Sequence, residues 1–285
     1  MPVRLVITDA MWDRIAPLMP ADPARGRRWA DHRRTLEAIA WKYRTNSPWR
    51  DLPDELGSFQ TAHKRLIRWA IDGTWEMILA AVPAAADADD DIDWTVSADS
   101  TVVRAHQHAA GAPQKGAAHR GEPANHALGR SRGGLSTKVH LAADGHARPL
   151  AFVVTAGQAG DAPAFETVMS RIRVPRTGPG RPRTRPVAVL ADRAYSSRAI
   201  RSHLRRRGIR AVIPQPSDQV GHRLRRGRLG GRPPFDREAY KQRNTVERCI
   251  NRLKQWRGLA TRTDKLAIAY QAALHLAGIL IWTRR

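Results

Sequence analysis

Cysteine is almost absent. Cys249 is the single one, which excludes an internal disulfide framework and any cysteine-rich zinc site. Acidic residues are also scarce, with 26 Asp and Glu against 49 Lys and Arg and a formal net charge of +23. An enzyme of small metabolites has no need of that excess, whereas a polyanion binder does. The basic residues are spread along the chain instead of massed on one amphipathic helix, which argues against a membrane-surface protein. Long hydrophobic runs are missing too. The longest, Leu266 to Trp282, carries Gln271 and His275 and falls short of a span of about 20 residues, so a buried terminal helix is expected there. The opening MPVRLVITDAMW lacks the apolar core of a signal peptide. The expectation is a cytoplasmic, nucleoid-associated protein that faces nucleic acid.

What is present suggests one large domain and a smaller one in 285 residues. Residues 1–83 read as a helical leader. Thr8 can cap a first helix that ends before Pro20, and Asp31 a second with an apolar stripe of Leu36, Ile39, Ala40 and Tyr43. After the SPWRDLP turn, Ser58 opens a third helix with Phe59, Ala62, Leu66 and Trp69 facing inward. Its other face shows Gln60, Thr61, Lys64, Arg65 and Arg68. Short helices, tight turns and a basic face suggest a helix-turn-helix-like DNA-binding module; the alternative is a plain bundle with solvated cations. The leader's tryptophans read as core. Residues 84–93, with their clustered Asp, read as an acidic linker whose like charges stay in water.

From Trp94 the period changes to that of strands. WTVSADSTVV places Asp99 inside a β-branched strand, where an Asp needs a reason beyond propensity. A Gly-, His- and Arg-rich loop follows, residues 104–134. Its His106, His108, His119 and His126 have irregular spacing and no cysteine nearby, so the loop reads as lying against DNA, not as a zinc site. A hairpin turns at Asp144-Gly145, and a helix runs from about Asp161 to Arg173. A second apolar strand, Val187 to Ala191, ends in Asp192, where open α/β sheets place their ligands. Ser196-Ser197 opens another helix, Ile209 to Gln215 is a strand, and residues 217–234 form a second basic loop. Asp236 caps a helix expected to run unbroken toward Gly258. On it Tyr240, Arg243, Glu247 and Lys254 are spaced to share one face, as a phosphoryl-transfer site or an ordinary solvated helix would have it.

This order of elements predicts an α/β fold. Residues 94–285 form a ribonuclease-H-like catalytic domain, a mixed five-stranded sheet with flanking helices, behind the small all-α leader. Its first and fourth strands are neighbours, so Asp99 and Asp192 approach each other, and the late helix can bring Glu247 over them. Three carboxylates together repel unless cations neutralise them, which calls for Mg²⁺ or Mn²⁺, two ions in the usual phosphoryl-transfer arrangement. Arg243 offers a planar fork for phosphate and Lys254 a mobile point charge. Tyr240 can stack on a base or pack against the sheet.

DSTVVRAHQHAAGA from Asp99, ADRAYSS around Asp192, and the Tyr240–Arg243–Glu247–Lys254 spacing resemble bacterial insertion-sequence DDE transposases, in particular the group of insertion sequence five. The likeness covers nearly the whole chain, including the leader and LGRSRGGLSTKVH. It implies a catalytic and metal-binding triad of Asp99, Asp192 and Glu247. Tyr240, Arg243 and Lys254 would act around the terminal nucleotides of the element. Arg130, Arg132 and Lys138 of LGRSRGGLSTKVH are expected to contact DNA as well. The implied partners are double-stranded DNA, as element ends and target, and further copies of the chain assembled on it. A metal-dependent nuclease without strand transfer and an inactive DNA-binding remnant are the alternatives.

Overall fold

The computed structural model describes residues 3–23, 25, 28–111, 119–225 and 234–284. The leader holds α1 (Asp9–Ile15), α2 (His32–Thr45), α3 (Phe59–Ile71), α4 (Thr74–Ala81) and α5 (Ala84–Ala88). Both expected caps form. The Thr8 hydroxyl accepts the Met11 N–H at 3.3 Å, and the Asp31 carboxylate accepts that of Arg34 at 2.6 Å. Leu36, Ile39 and Tyr43 of α2 and Ala62, Leu66 and Trp69 of α3 are buried, as their spacing requires. Gln60, Lys64 and Arg68 are exposed, and Thr61 is partly covered. Arg65 departs from the expected outer face. It is 5% exposed, with its guanidinium 3.6 Å above the Trp29 ring and Nη1 3.3 Å from Nδ1 of His32. The loop carrying Trp29 folds back over α3, which helical periodicity alone cannot announce.

The acidic stretch is a second correction, since its charges do not all stay in water. Asp87 is 6% exposed. Its carboxylate accepts from Trp94 Nε1 at 2.9 Å and Arg183 Nη1 at 3.2 Å, with Arg176 Nη1 at 3.6 Å. Asp91 pairs with Arg148 at 2.7 Å, and Asp93 accepts the Thr95 N–H at 2.8 Å. The arginines arrive from distant parts of the chain, which is why the local sequence reads as a solvated charge run.

Next come β1 (Thr95–Ala105), α6 (Gln107–Ala110), β2 (Gly129–Ser131), β3 (Gly134–Ala143), β4 (Pro149–Ala156), α7 (Asp161–Arg171), β5 (Ala188–Ala191), α8 (Arg198–Arg206), β6 (Arg210–Val212) and α9 (Ser217–Arg225). The chain ends with α10 (Arg237–Tyr240), α11 (Asn244–Lys254), α12 (Arg257–Ala260), β7 (Thr261–Arg262) and α13 (Ala267–Thr283). Residues 217–225, expected as loop, are thus helical; 226–233, like 112–118 of the earlier loop, lie outside the described residues. The five expected strands lie in the order β4, β3, β1, β5, β6, with short β2 added on β3 and short β7 on β1. β1 runs antiparallel to β3, and β3 to β4, whereas β5 and β6 run parallel to β1. This is the ribonuclease-H-like arrangement.

All of α13 except Gln271 and Ile281 is buried, and it packs on α3, α4 and β4. Among the described residues no helix is long and apolar enough to cross a membrane. Leader and sheet close over one continuous hydrophobic cluster. The amino end of α13 is held from afar by buried Glu122, whose carboxylate accepts the N–H groups of Ala267 (2.8 Å) and Ile268 (3.0 Å) and meets His126 Nδ1 at 2.5 Å. His126, expected in a loop lying on DNA, is therefore inside the protein, 3% exposed.

Two outcomes follow. At Gly258 a Cβ would stand 2.9 Å from the Tyr43 carbonyl oxygen and 3.0 Å from its Cα, backbone that cannot step aside. Gly258→Ala should therefore lower the unfolding free energy by about 1–3 kcal/mol, read from urea midpoints; an unchanged midpoint would refute that contact between α12 and α2. His275, 4% exposed on α13, has its pKa pushed down to about 3 by burial and the nearby Arg171 charge. Below about pH 6.5 the unfolded chain takes up a proton that the folded state refuses, so this residue withdraws stability as pH falls toward the folded value. From pH 7 to pH 5 that loss is about 2 kcal/mol. His275→Leu should make the urea midpoint less sensitive over this interval than wild type.

Candidate active site

The site begins with strand register. Ala98 of β1 lies opposite Ala191 of β5 in parallel pairing, so the next residue on each strand, Asp99 and Asp192, leaves the pair at the same level. β5 ends at Ala191, and Asp192 turns the chain by accepting the Ala194 N–H at 2.8 Å, capping a 3₁₀ turn over Arg193–Tyr195. Asp99 Oδ1 accepts the Ser100 N–H at 2.8 Å. Both carboxylates thus stand where the carboxyl ends of parallel strands open a crevice.

The helix expected to be unbroken is segmented: α10 ends at Tyr240, Lys241–Arg243 are 3₁₀, and α11 starts at Asn244. Residues three apart eclipse in a 3₁₀ turn, so Tyr240 stays over Arg243 despite the change. The Arg243 guanidinium forks. Nη1 lies 3.0 Å from Asp99 Oδ2 and Nη2 lies 2.7 Å from Glu247 Oε1, one turn on. Around it α11 is seated on the odd-numbered face of β1. Thr245 Oγ1 donates to Ser97 Oγ at 2.9 Å, and Lys254 Nζ donates to Thr101 Oγ1 at 2.6 Å. Tyr240 packs against the sheet, on the small cluster of Ala188, Leu190 and Val212, with its ring 5.2 Å from that of Phe235.

Burial raises the Asp99 pKa; the Ser100 N–H and the Arg243 charge oppose that, and the nearby Asp192 charge adds to it. Burial would lower Arg243, but Asp99, Tyr240 and Glu247 outweigh it and the guanidinium is held more firmly protonated than usual. Burial lowers the Lys254 pKa. The Glu247 side chain is 51% exposed and that of Asp99 21%, so the outer arm of the fork is screened by water and the inner arm much less.

The donor chemistry fits a hard divalent cation, because Asp99 and Asp192 present only carboxylate oxygens at adjoining strand ends. Glu247 does not complete that set directly. Among the described residues no three of His, Cys, Asp and Glu are gathered to hold a metal ion, and a guanidinium stands between Asp99 and Glu247. The remaining expected contacts divide. Arg130 and Arg132 are exposed on and beside β2. Lys138, expected to face DNA, is instead 13% exposed in its side chain and paired with Asp161 at 3.1 Å.

Three groups escaped the sequence reading. Ser100, Asp161 and Tyr195 interact on the even-numbered face of β1: Ser100 Oγ lies 2.6 Å from Asp161 Oδ1, and Tyr195 is hydrogen-bonded to Ser100. Their only sequence signal is adjacency, since Ser100 follows Asp99 and Tyr195 lies in ADRAYSS. Asp161 looks like an ordinary acid in a first helical turn.

The model of the family described as "Transposase DDE domain" matches residues 92–282, and that of the IS4/5 transposase family matches residues 7–79. An uncharacterized protein of Sinorhizobium fredii, y4sN, is 38% identical over 108 residues, 37% of this chain and 82% of its own. A Brucella ovis protein named "Putative transposase for insertion sequence element IS6501" is 29% identical over 150 residues, 53% of this chain and 100% of its own. The solved Mos1 transposase paired-end complex with left transposon end shares 14% identity, covering 82% of each chain at a TM-score of 0.25; a superposition of that quality says nothing about the site.

Because Tyr240 fills a gap beside the sheet, Tyr240→Ala should cost about 1–2 kcal/mol of stability, while Tyr240→Phe should leave the urea midpoint nearly unchanged. Equal midpoints for all three proteins would rule out a packing role.

Proposed function

The chain belongs to the DDE transposase family, whose domain model spans residues 92–282, and from that premise we propose that it binds the terminal inverted repeats of an insertion sequence, cuts the DNA there and joins the freed ends to target DNA. The observation that carries this reading is the juxtaposition of Asp99 and Asp192 at adjoining strand ends, with Arg243 tying Asp99 to Glu247 across the sheet. Asp99 and Asp192, with Glu247, would hold two Mg²⁺ or Mn²⁺ ions, which supply Lewis-acid activation of the attacking oxygen and stabilise the leaving one.

The protein's own groups do the binding and orienting. Arg243 can trade its carboxylate partners for the planar oxygens of a DNA phosphate, which would free Glu247 to turn inward. Lys254, held on Thr101 two residues beyond Asp99, sets a positive charge on the same face for the backbone of the bound strand. Exposed Gln60, Lys64 and Arg68 of α3 and exposed Arg130 and Arg132 extend that basic track outward. In this reading residues 1–83 are the DNA-binding leader, 84–93 the connection and 94–285 the catalytic domain. The working form is an assembly of at least two copies on paired ends, in the cytoplasm.

The test is incubation of the protein with a terminal-repeat duplex, target DNA and Mg²⁺ or Mn²⁺. Joined products are expected. Cleavage without joining would point to a nuclease, and salt-sensitive binding without chemistry to a DNA-binding remnant. Asp99→Ala, Asp192→Ala and Glu247→Ala should each lower cleavage by roughly 10³-fold or more and change duplex affinity by less than about threefold in a gel-shift titration. Normal cleavage by any one of the three would remove that residue from the triad.

A further inference from the structure

Asp99 and Asp192 sit on different segments of chain, and something must hold those segments at one spacing. Backbone pairing accounts for β1 and β5 up to Ala98 and Ala191, but both carboxylates lie one residue beyond it. On the face of β1 opposite α11, a chain of side chains takes over. Tyr195, 3% exposed in the turn that Asp192 caps, is hydrogen-bonded to Ser100, the residue after Asp99. The Ser100 hydroxyl has one proton, which it donates to Asp161 Oδ1 at 2.6 Å, so the Tyr195 hydroxyl must be the donor to Ser100. Tyr195 stays protonated for that task, since burial and the charges of Asp161, Asp99 and Asp192 all push its pKa up.

The far end of the chain is fixed as well. Asp161 is the first residue of α7, where the helix dipole favours a carboxylate, and its Oδ1 also takes Lys138 Nζ at 3.1 Å. One turn along α7, Phe165 packs its ring 5.6 Å from that of Tyr195. A single helix therefore accepts the hydrogen-bond chain through Asp161 and wedges the tyrosine ring through Phe165.

We propose that Ser100 is a positioning residue that sets the spacing between Asp99 and Asp192 by linking Tyr195 to Asp161. It touches neither substrate nor reacting atoms and acts through the two segments it joins. The proposal rests on the reading of Asp99 and Asp192 as the catalytic pair. Outer groups that orient acidic ligands typically change metal affinity by about 10–100-fold when removed, and that is the expected scale here.

The experiment uses the full chain. Mn²⁺ binding is measured by electron paramagnetic resonance of the free ion, alongside single-turnover cleavage, duplex affinity and the thermal midpoint, for wild type, Ser100→Ala, Ser100→Thr, Tyr195→Phe and the Ser100→Ala/Tyr195→Phe double variant. Ser100→Ala should weaken Mn²⁺ binding about tenfold and slow cleavage about 10–100-fold, with duplex affinity unchanged. Ser100→Thr, which keeps the hydroxyl, should restore both. Tyr195→Phe should reproduce the Ser100→Ala loss, and the double variant should add little, because both changes cut the same chain. Folded Ser100→Ala protein with wild-type Mn²⁺ affinity and cleavage would overturn the proposal. So would a loss that threonine does not rescue, or one accompanied by an equal loss of duplex affinity. Wild-type protein that neither takes up Mn²⁺ nor cuts would overturn the catalytic reading itself, and this proposal with it.

Discussion

The parallel register that sets Ala98 opposite Ala191 is the constraint on which the rest of this protein depends. Side chains alternate across a strand, so a slip of one residue would turn Asp99 to the opposite face and bring Ser100 under α11. The register is held by a strand buried on both faces, with Val96, Ala98, Val189 and Leu190 all at 2% exposure or less. Everything polar at the site is placed relative to that pair of strands. α11 lies on the face of Ser97, Asp99 and Thr101, and α7 with the Tyr195 turn on the face of Ser100.

A second constraint is electrostatic. Carboxylates brought together in a partly buried crevice raise one another's free energy, and Asp99 shows it in its raised pKa. The structure answers with a cation from the same helix that brings the third carboxylate. Because Arg243 and Glu247 are one turn apart, any movement that draws the guanidinium toward a phosphate also releases the glutamate. Binding of a polyanion and assembly of the acidic site are thereby linked through one side chain, a consequence of helical spacing and charge balance together.

The leader and the sheet do not face each other as strangers. α13 is apolar around its whole circumference and is buried between α3, α4 and β4, and Gly258 brings α12 against the backbone of Tyr43 in α2. Any DNA gripped by the exposed side of α3 is therefore held in a set relation to the carboxylates, without a flexible joint between the leader and the sheet.

Much of this was legible from residue order. Composition pointed to a polyanion partner, β-branched runs marked the main strands, the caps at Thr8 and Asp31 marked helix starts, and the spacing from Arg243 to Lys254 marked a functional face. Those signals are local, set by backbone propensity and by periods of two and 3.6 residues. The misreadings came where the deciding partner is far away in sequence. Asp87 looked like a solvated acid until Arg183 and Trp94 closed on it, and Arg65 looked like a surface cation until the Trp29 loop covered it. Lys138 looked like a phosphate contact until Asp161 took it. What the sequence determined by itself was which residue types could carry the chemistry and on which elements they lie. Which of them meet, and which are neutralised inside the protein, was decided only by tertiary structure, because desolvation and Coulomb energy depend on distance and burial, and neither is a property of neighbours along the chain.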